Sequence, residues 1–111
     1  MTDILTVLTT VESEAAAREL AAGAVEQRVA ACAQISAPVT SVYRWEGAVT
    51  TDPEWQVLLK TAAARYEALE AYIRRVHSYD VPEIIATPVV RGNADYLSWV
   101  EQETTPPGPA D

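Results

Sequence analysis

Cysteine, histidine and lysine occur only once each in this chain of 111 residues, and phenylalanine is missing altogether. With Cys32 as the only cysteine, no internal disulfide can form, which is typical of proteins in a reducing compartment. No apolar run approaches the ~20 residues that a membrane-spanning helix needs, and the first residues lack the basic and apolar segments of a secretory signal. We therefore expect a cytoplasmic protein without a membrane partner.

Basic residues are also scarce. Lys and Arg together number eight and Asp and Glu sixteen, so the formal net charge is -8. Proteins that bind nucleic acid use clustered Lys and Arg, which this sequence does not contain, so we expect no nucleic acid partner. The sequence also lacks a Ser-His-Asp pattern, a phosphate-binding loop and a dinucleotide fingerprint. These absences predict that the protein is not an enzyme and uses no organic cofactor.

Length and composition indicate a single domain. A chain of this length buries only about two thirds of the surface that its unfolded form exposes, so a large interface would add to its stability. We predict that the domain covers residues 1–103. The remaining segment, 104–111, contains three prolines and one glycine, and we predict that it is a disordered tail.

The hydrophobic pattern predicts strand, helix, strand, strand, helix and strand in that order, followed by a short helix from Asn93. The predicted strands are Ile4 to Thr9, Ala31 to Trp45, a run that ends at Thr61, and Val81 to Val90. The first predicted helix ends at Arg28 and the second runs from about Ala63 to Val76. This order is that of the split β-α-β, or ferredoxin-like, α+β fold.

The second and third predicted strands should form a long hairpin arm. Glu46 and Gly47 predict a two-residue turn between them, and Pro38 predicts an interruption at 36–38 because proline has no N–H for the strand ladder. The strands are apolar or aromatic on both faces, whereas the helices of this fold cover only one face. Closed self-association would cover the other. We expect three aromatic residues of the arm to be interface anchors: Tyr43, Trp45 and Trp55.

The single histidine, His77, follows the second helix and is a candidate metal ligand, because neutral imidazole suits copper and zinc. Carboxylates at Asp80 and Glu83 could complete such a site. A histidine at a helix C-terminus also interacts favourably with the helix dipole, and this simpler interpretation needs no metal. Cys32 is expected to be a small buried apolar side chain, as a free cysteine in a strand commonly is.

The single lysine, Lys60, lies in an otherwise apolar strand. It is either a strand-end charge that reaches water or a partly buried cation, and in the second case Glu83 is the acid we expect to pair with it. Such a pair, lined by Tyr43, Trp45 and Tyr79, would form a small polar pocket at a subunit boundary. A buried ion pair can also serve assembly specificity with no ligand involved.

Four segments together resemble the CutA divalent-cation tolerance family, and the resemblance covers roughly nine tenths of the chain. These segments are Ala30–Ile35, Ser41–Gly47, Val76–Ile85 and Arg91–Leu97. The resemblance implies a homotrimer with sheets packed around a threefold axis and hairpin arms that clasp neighbouring subunits. It also implies a role in tolerance to divalent metals, with weak binding of copper or a similar ion through His77 and the carboxylates.

The family's copper-binding members resemble one another in having a cysteine late in the first strand and two adjacent histidines at the end of the second helix. The matching positions here are Thr9, Val76 and His77, so the resemblance supplies only one of the three ligands and implies a weak site. Two alternatives remain open. CutA trimers resemble the nitrogen-regulatory PII proteins, which implies a small-molecule sensor, and a scaffold that anchors a partner protein would need no ligand.

Overall fold

The computed structural model describes residues 3–106. Within this range the chain forms a mixed α+β fold with one sheet and three α-helices. The strands are β1 (Ile4–Val11), β2 (Cys32–Ile35), β3 (Val39–Trp45), β4 (Ala48–Ala62) and β5 (Ile85–Pro88). The helices are α1 (Glu14–Glu26), α2 (Tyr66–Val76) and α3 (Ala94–Thr104), and a short 3₁₀ turn, Ala63–Arg65, precedes α2. No helix in this range is long and apolar enough to cross a membrane.

All strand pairs in the sheet are antiparallel, in the order β2-β4-β1-β5, and β3 pairs with the outer part of β4. The 15-residue β4 is therefore shared between the sheet and the hairpin arm. The break between β2 and β3 falls at the predicted position. Ser36 holds it, because its N–H donates to the Gln56 carbonyl at 2.9 Å and its hydroxyl accepts the Gln56 N–H at 3.0 Å.

The tip of the arm is the two-residue turn predicted from Glu46 and Gly47. Trp45 and Ala48 are the last paired residues, and the φ angles of Glu46 and Gly47 are 49° and 82°. Positive φ at both central positions defines a type I′ turn, whose twist matches that of the flanking strands. The arm extends from this turn to the pair Val39 and Glu54.

Helices α1 and α2 cover one face of the sheet and form the main core with it. The buried residues of this core include Val7, Leu20, Val57, Leu59, Leu69 and Ile73. Tyr72 of α2 lies directly against Gly23 of α1, where a Cβ atom would be 2.0 Å from the Tyr72 hydroxyl oxygen. That buried hydroxyl donates a hydrogen bond to the Leu20 carbonyl at 3.0 Å. Gly23 is thus needed for the approach of Tyr72.

Helix α3 packs on the opposite face at one end of the sheet. Ile4 and Ala62 contact Val100 there, and their positions alternate with those of Val7 and Leu59 in the main core. Thr104, the last residue of α3, is fully buried. The boundary predicted between 103 and 104 therefore differs from the structure, which packs Thr104 into the domain. Of the rest of the predicted tail, Thr105 and Pro106 are exposed, and 107–111 lie outside the described residues.

The last predicted strand, Val81 to Val90, is shorter than expected. Only Ile85–Pro88 forms a strand, and every residue of it is exposed in the single chain. Ile84 and Val89, on either side of this strand, pack against core residues of the same chain, whereas the strand residues between them do not. Ile85 instead pairs with Leu8, which pairs in turn with Leu58 of β4, so three apolar side chains lie side by side on the open face of the sheet.

Candidate functional site

A cavity of about 460 Å³ lies between the hairpin arm and the loop that joins α2 to β5. The arm contributes Ser41, Tyr43 and Trp45, which share one face of β3 because they alternate along the strand. It also contributes Glu54, from the base of the arm on β4. The loop contributes Tyr79, Asp80 and Glu83. Two segments that are far apart in sequence thus form one concave surface.

His77 holds the loop against the sheet. Its Nδ1 accepts the backbone N–H of Tyr79 at 3.1 Å, and its Nε2 lies 2.8 Å from the carbonyl oxygen of Thr10. Because Nδ1 accepts, the proton of the neutral ring is on Nε2, which donates to Thr10. The imidazole also packs on the Tyr79 ring, with the centroids 4.7 Å apart. His77 therefore positions Tyr79 beside the cavity.

Tyr79 donates a hydrogen bond from its hydroxyl to Glu54 Oε2 at 2.9 Å. Burial raises the pKa of the Tyr79 phenol far above its usual value, and the hydrogen bond with Glu54 raises it further. The phenol thus stays protonated and remains a donor at every physiological pH. Glu54 is a nearly buried carboxylate, only 9% exposed, and among the described contacts its hydrogen-bond partner is this hydroxyl.

Tyr43 has a similar arrangement on the arm. Its hydroxyl donates to Asp52 Oδ2 at 2.5 Å, and that hydrogen bond raises the pKa of the Tyr43 phenol. The hydroxyls of Tyr43 and Tyr79 are both occupied by carboxylates. Their rings, and that of the half-exposed Trp45, remain as walls of the cavity.

The charged side chains that line the cavity are all acidic: Glu54, Asp80 and Glu83. No Lys, Arg or His among residues 3–106 lines it. Carboxylates gathered in a concave surface focus negative potential and attract cations. The cavity therefore favours a cationic ligand over an anionic one.

Four of the five residues predicted to form a pocket do line this cavity: Tyr43, Trp45, Tyr79 and Glu83. Lys60 does not, because the register sets it opposite Thr6, toward the other end of β1. Its ammonium group donates to Gln34 Oε1. In the described part of a single chain, this hydrogen bond replaces the ion pair predicted between Lys60 and Glu83.

The three candidate metal ligands are divided between two places. Asp80 and Glu83 line the cavity, whereas His77 lines a separate cleft of about 570 Å³ between α1 and the end of α2. Among the described residues no three His, Cys, Asp or Glu side chains lie close enough together to hold a metal ion. The donor set of one chain therefore does not fit a compact copper centre.

The predicted interface anchors also have different environments. Trp55 packs against the main core of its own chain. It lies two residues before Val57 on β4, so both side chains point to the same face of the sheet. Trp45 and Tyr43 are 52% and 40% exposed and are free to contact another surface. Glu54 was not expected at this site, because its position there depends on the pairing of Val39 with Glu54 at the base of the arm.

Comparison with known proteins identifies the family. The family model described as CutA1 divalent ion tolerance protein matches residues 5–103. The chain therefore belongs to the CutA1 family. The divalent-cation tolerance protein CutA of Thermus thermophilus is 44% identical over 98 residues, which are 88% of this chain and 95% of that protein. Protein CutA of Homo sapiens is 42% identical over 95 residues, and the match spans about half of its length, 53%.

Solved structures of the CutA1 family share the fold. The Thermus thermophilus structure superposes with a TM-score of 0.89 at 42% sequence identity, covering 92% of this chain and 99% of that chain. The Oryza sativa structure has a TM-score of 0.91 at 38% identity and covers 94% and 95%. The family predicted from the sequence is confirmed, as is a mixed α+β fold with an antiparallel sheet. The names of the Thermus thermophilus protein and of its solved structure describe tolerance to divalent cations, and they state no catalytic activity.

Proposed function

We propose that this CutA1 family member acts in tolerance to divalent cations as a cytoplasmic homotrimer, and that it binds a divalent cation weakly at the acidic cavity. The observation that carries this proposal is the lining of the cavity, where every charged side chain is a carboxylate. Asp80 and Glu83 are the proposed ligands, since both are exposed and can turn toward a hydrated ion. His77 supports them indirectly, through the position of Tyr79.

The proposed trimer consists of ferredoxin-like subunits, related in architecture to the PII proteins. The antiparallel strand order β2-β4-β1-β5 supports the ferredoxin-like plan. Uncovered apolar side chains support self-association. Leu8, Leu58 and Ile85 are neighbours on the open face of the sheet, and Ile85 is 54% exposed in the single chain. A closed oligomer would remove this apolar surface from water.

The donors at the cavity suit some divalent cations better than others. Its carboxylates are oxygen donors, which manganese, magnesium and calcium prefer, whereas copper prefers imidazole and thiolate. A hydrated cation needs only one or two carboxylates, so the separated acids of this cavity are sufficient. A neighbouring subunit would supply any further ligand. Copper, expected from the sequence resemblance, serves as the comparison ion in the test.

Calorimetric titration of the metal-stripped full chain with Mn(II) and, separately, Cu(II) tests this proposal. We expect saturable Mn(II) binding that weakens at least about tenfold when Asp80→Asn and Glu83→Gln are combined, because the charge of the ligands sets the affinity. Glu70→Gln removes a carboxylate from the exposed Glu70–Arg74 pair on α2 and serves as the matched control. Binding that survives the double variant but is lost in His77→Ala would contradict the proposed site.

A further inference from the structure

The aromatic walls of the cavity have no part in holding a divalent ion. Three aromatic side chains, Tyr43, Trp45 and Tyr79, line the same space as the carboxylates of Asp80 and Glu83. Metal ions take lone pairs from oxygen, nitrogen or sulfur atoms, and the indole of Trp45 offers none. The combination of several rings with acidic groups therefore indicates a different class of cation.

The faces of aromatic rings attract cations through the negative charge of their π-systems, and alkylated ammonium groups are the ligands that such walls recognise best. Two features of this cavity strengthen the attraction. The phenols of Tyr43 and Tyr79 donate to Asp52 and Glu54, so a carboxylate lies at the hydroxyl end of each ring and adds negative charge beside it. No basic side chain among residues 3–106 lines the cavity to oppose a cation.

The size of the space also suits an organic cation. A volume of about 460 Å³ lies within the roughly 300 to 1,000 Å³ of small-molecule sites. A bare metal ion needs several ligands within about 2.6 Å, and the described residues offer no group of three such side chains. A quaternary ammonium group has no N–H and spreads its charge over its methyl groups, so it needs neither close ligands nor hydrogen-bond acceptors.

We propose that this cavity binds an alkylated ammonium cation, with Tyr43, Trp45 and Tyr79 as its aromatic wall and with Asp80 and Glu83 as its counter-charges. The site is the cavity assigned above to divalent cations. The proposal does not depend on metal binding, because the aromatic rings recognise the alkylated ammonium cation. The two cations share one source of attraction, the carboxylates, and are therefore expected to compete.

Choline and its neutral isostere 3,3-dimethyl-1-butanol test this inference. Amide chemical shifts of the isotope-labelled full chain would be followed during titration with each compound, at constant ionic strength maintained with NaCl. We expect choline to bind saturably, with shifts centred on Tyr43, Tyr79 and Glu83, and at least about tenfold more tightly than the isostere, because only choline carries the charge that the rings attract. Equal affinities, or no saturable choline binding, would overturn the proposal.

Variants separate the ring from the rest of Tyr79. Tyr79→Leu removes the ring and should weaken choline binding at least about tenfold, whereas Tyr79→Phe keeps the ring and should stay within about threefold of the parent protein. If Tyr79→Leu does not fold, Tyr43→Leu and Tyr43→Phe form the same comparison. The solution mass of each variant shows whether assembly is intact. If a folded leucine variant binds choline as tightly as the parent protein, the proposal that the aromatic rings bind the cation is refuted.

The choline titration and the Mn(II) titration can fail independently, so each proposal is tested separately. Absence of Mn(II) binding together with charge-dependent choline binding would remove the metal site and leave the organic cation site in place. Glu83→Gln should weaken both ligands, whereas the matched control Glu70→Gln, on the exposed face of α2, should weaken neither. Choline binding that is unchanged by Glu83→Gln would contradict the assigned counter-charge.

Discussion

Replacing Trp45 by alanine should weaken the proposed trimer by about 2 kcal/mol or more, so that single chains become populated on dilution. An interfacial tryptophan buries on the order of 200 Å² of surface at a low cost in side-chain entropy. Trp45 is 52% exposed at the tip of the arm, where its own chain does not cover it. The exposed Val42 and Val49 lie near it on the other face of the arm.

Sedimentation equilibrium over a dilution series from micromolar to nanomolar protein would measure this effect. The parent protein should keep three times its 12.1 kDa chain mass to lower concentrations than Trp45→Ala does. Arg18→Ala, an exposed change on α1 away from the arm and the open face, should behave like the parent. A Trp45→Ala protein that stays trimeric at nanomolar concentration would refute the anchoring role.

Gly23→Ala should lower the free energy of unfolding by roughly 2 to 4 kcal/mol, although alanine is the better helix former by about 1 kcal/mol. The new Cβ would lie 2.0 Å from the Tyr72 hydroxyl oxygen. Tyr72 is buried and its hydroxyl donates to the Leu20 carbonyl, so the ring cannot withdraw without breaking a buried hydrogen bond. Overpacking and the lost bond both lower stability.

Urea unfolding of Gly23→Ala, Tyr72→Phe and the double variant would measure this contact. Tyr72→Phe removes the clashing oxygen and leaves the ring carbon 3.1 Å from the new Cβ, so the double variant should be less destabilised than the sum of the single variants. A Gly23→Ala protein with an unchanged or higher urea midpoint would mean that the helices separate freely at this point.

Local signals predicted much of the fold because they act over a few residues. Pro38 lies in the break between β2 and β3 because it lacks an N–H for the strand ladder. Glu46 and Gly47 form the predicted two-residue turn, with positive φ at both positions. The segment 81–90 was predicted as one strand, although only Ile85–Pro88 pairs with β1, because apolar residues outside a strand can also pack against a core, as Ile84 and Val89 do. Thr104 was predicted to belong to a disordered tail because prolines follow it, although it lies buried at the end of α3.

The site was only partly predictable because pairing over long distances in sequence determines it. Tyr43, Tyr79 and Glu83 were expected in one pocket, and they are. The positions of Lys60 and Glu54 relative to the cavity depend on strand register. A single sequence does not reveal which residue of β4 lies opposite Thr6 or Val39. His77 was assigned by residue type as a ligand, whereas its two ring nitrogens bond backbone groups of Thr10 and Tyr79.

The cavity between the arm and the loop is the proposed cation site of this CutA1 family member. Paramagnetic broadening of amide resonances by substoichiometric Mn(II) would locate the bound ion, because the broadening falls steeply with distance from it. We predict that the amides of Tyr79, Asp80 and Glu83 broaden first, and that excess choline reduces this broadening. Broadening centred on the cleft lined by Glu12, Glu19 and Glu26, with the cavity unaffected, would show that the cation binds elsewhere and would refute the proposed site.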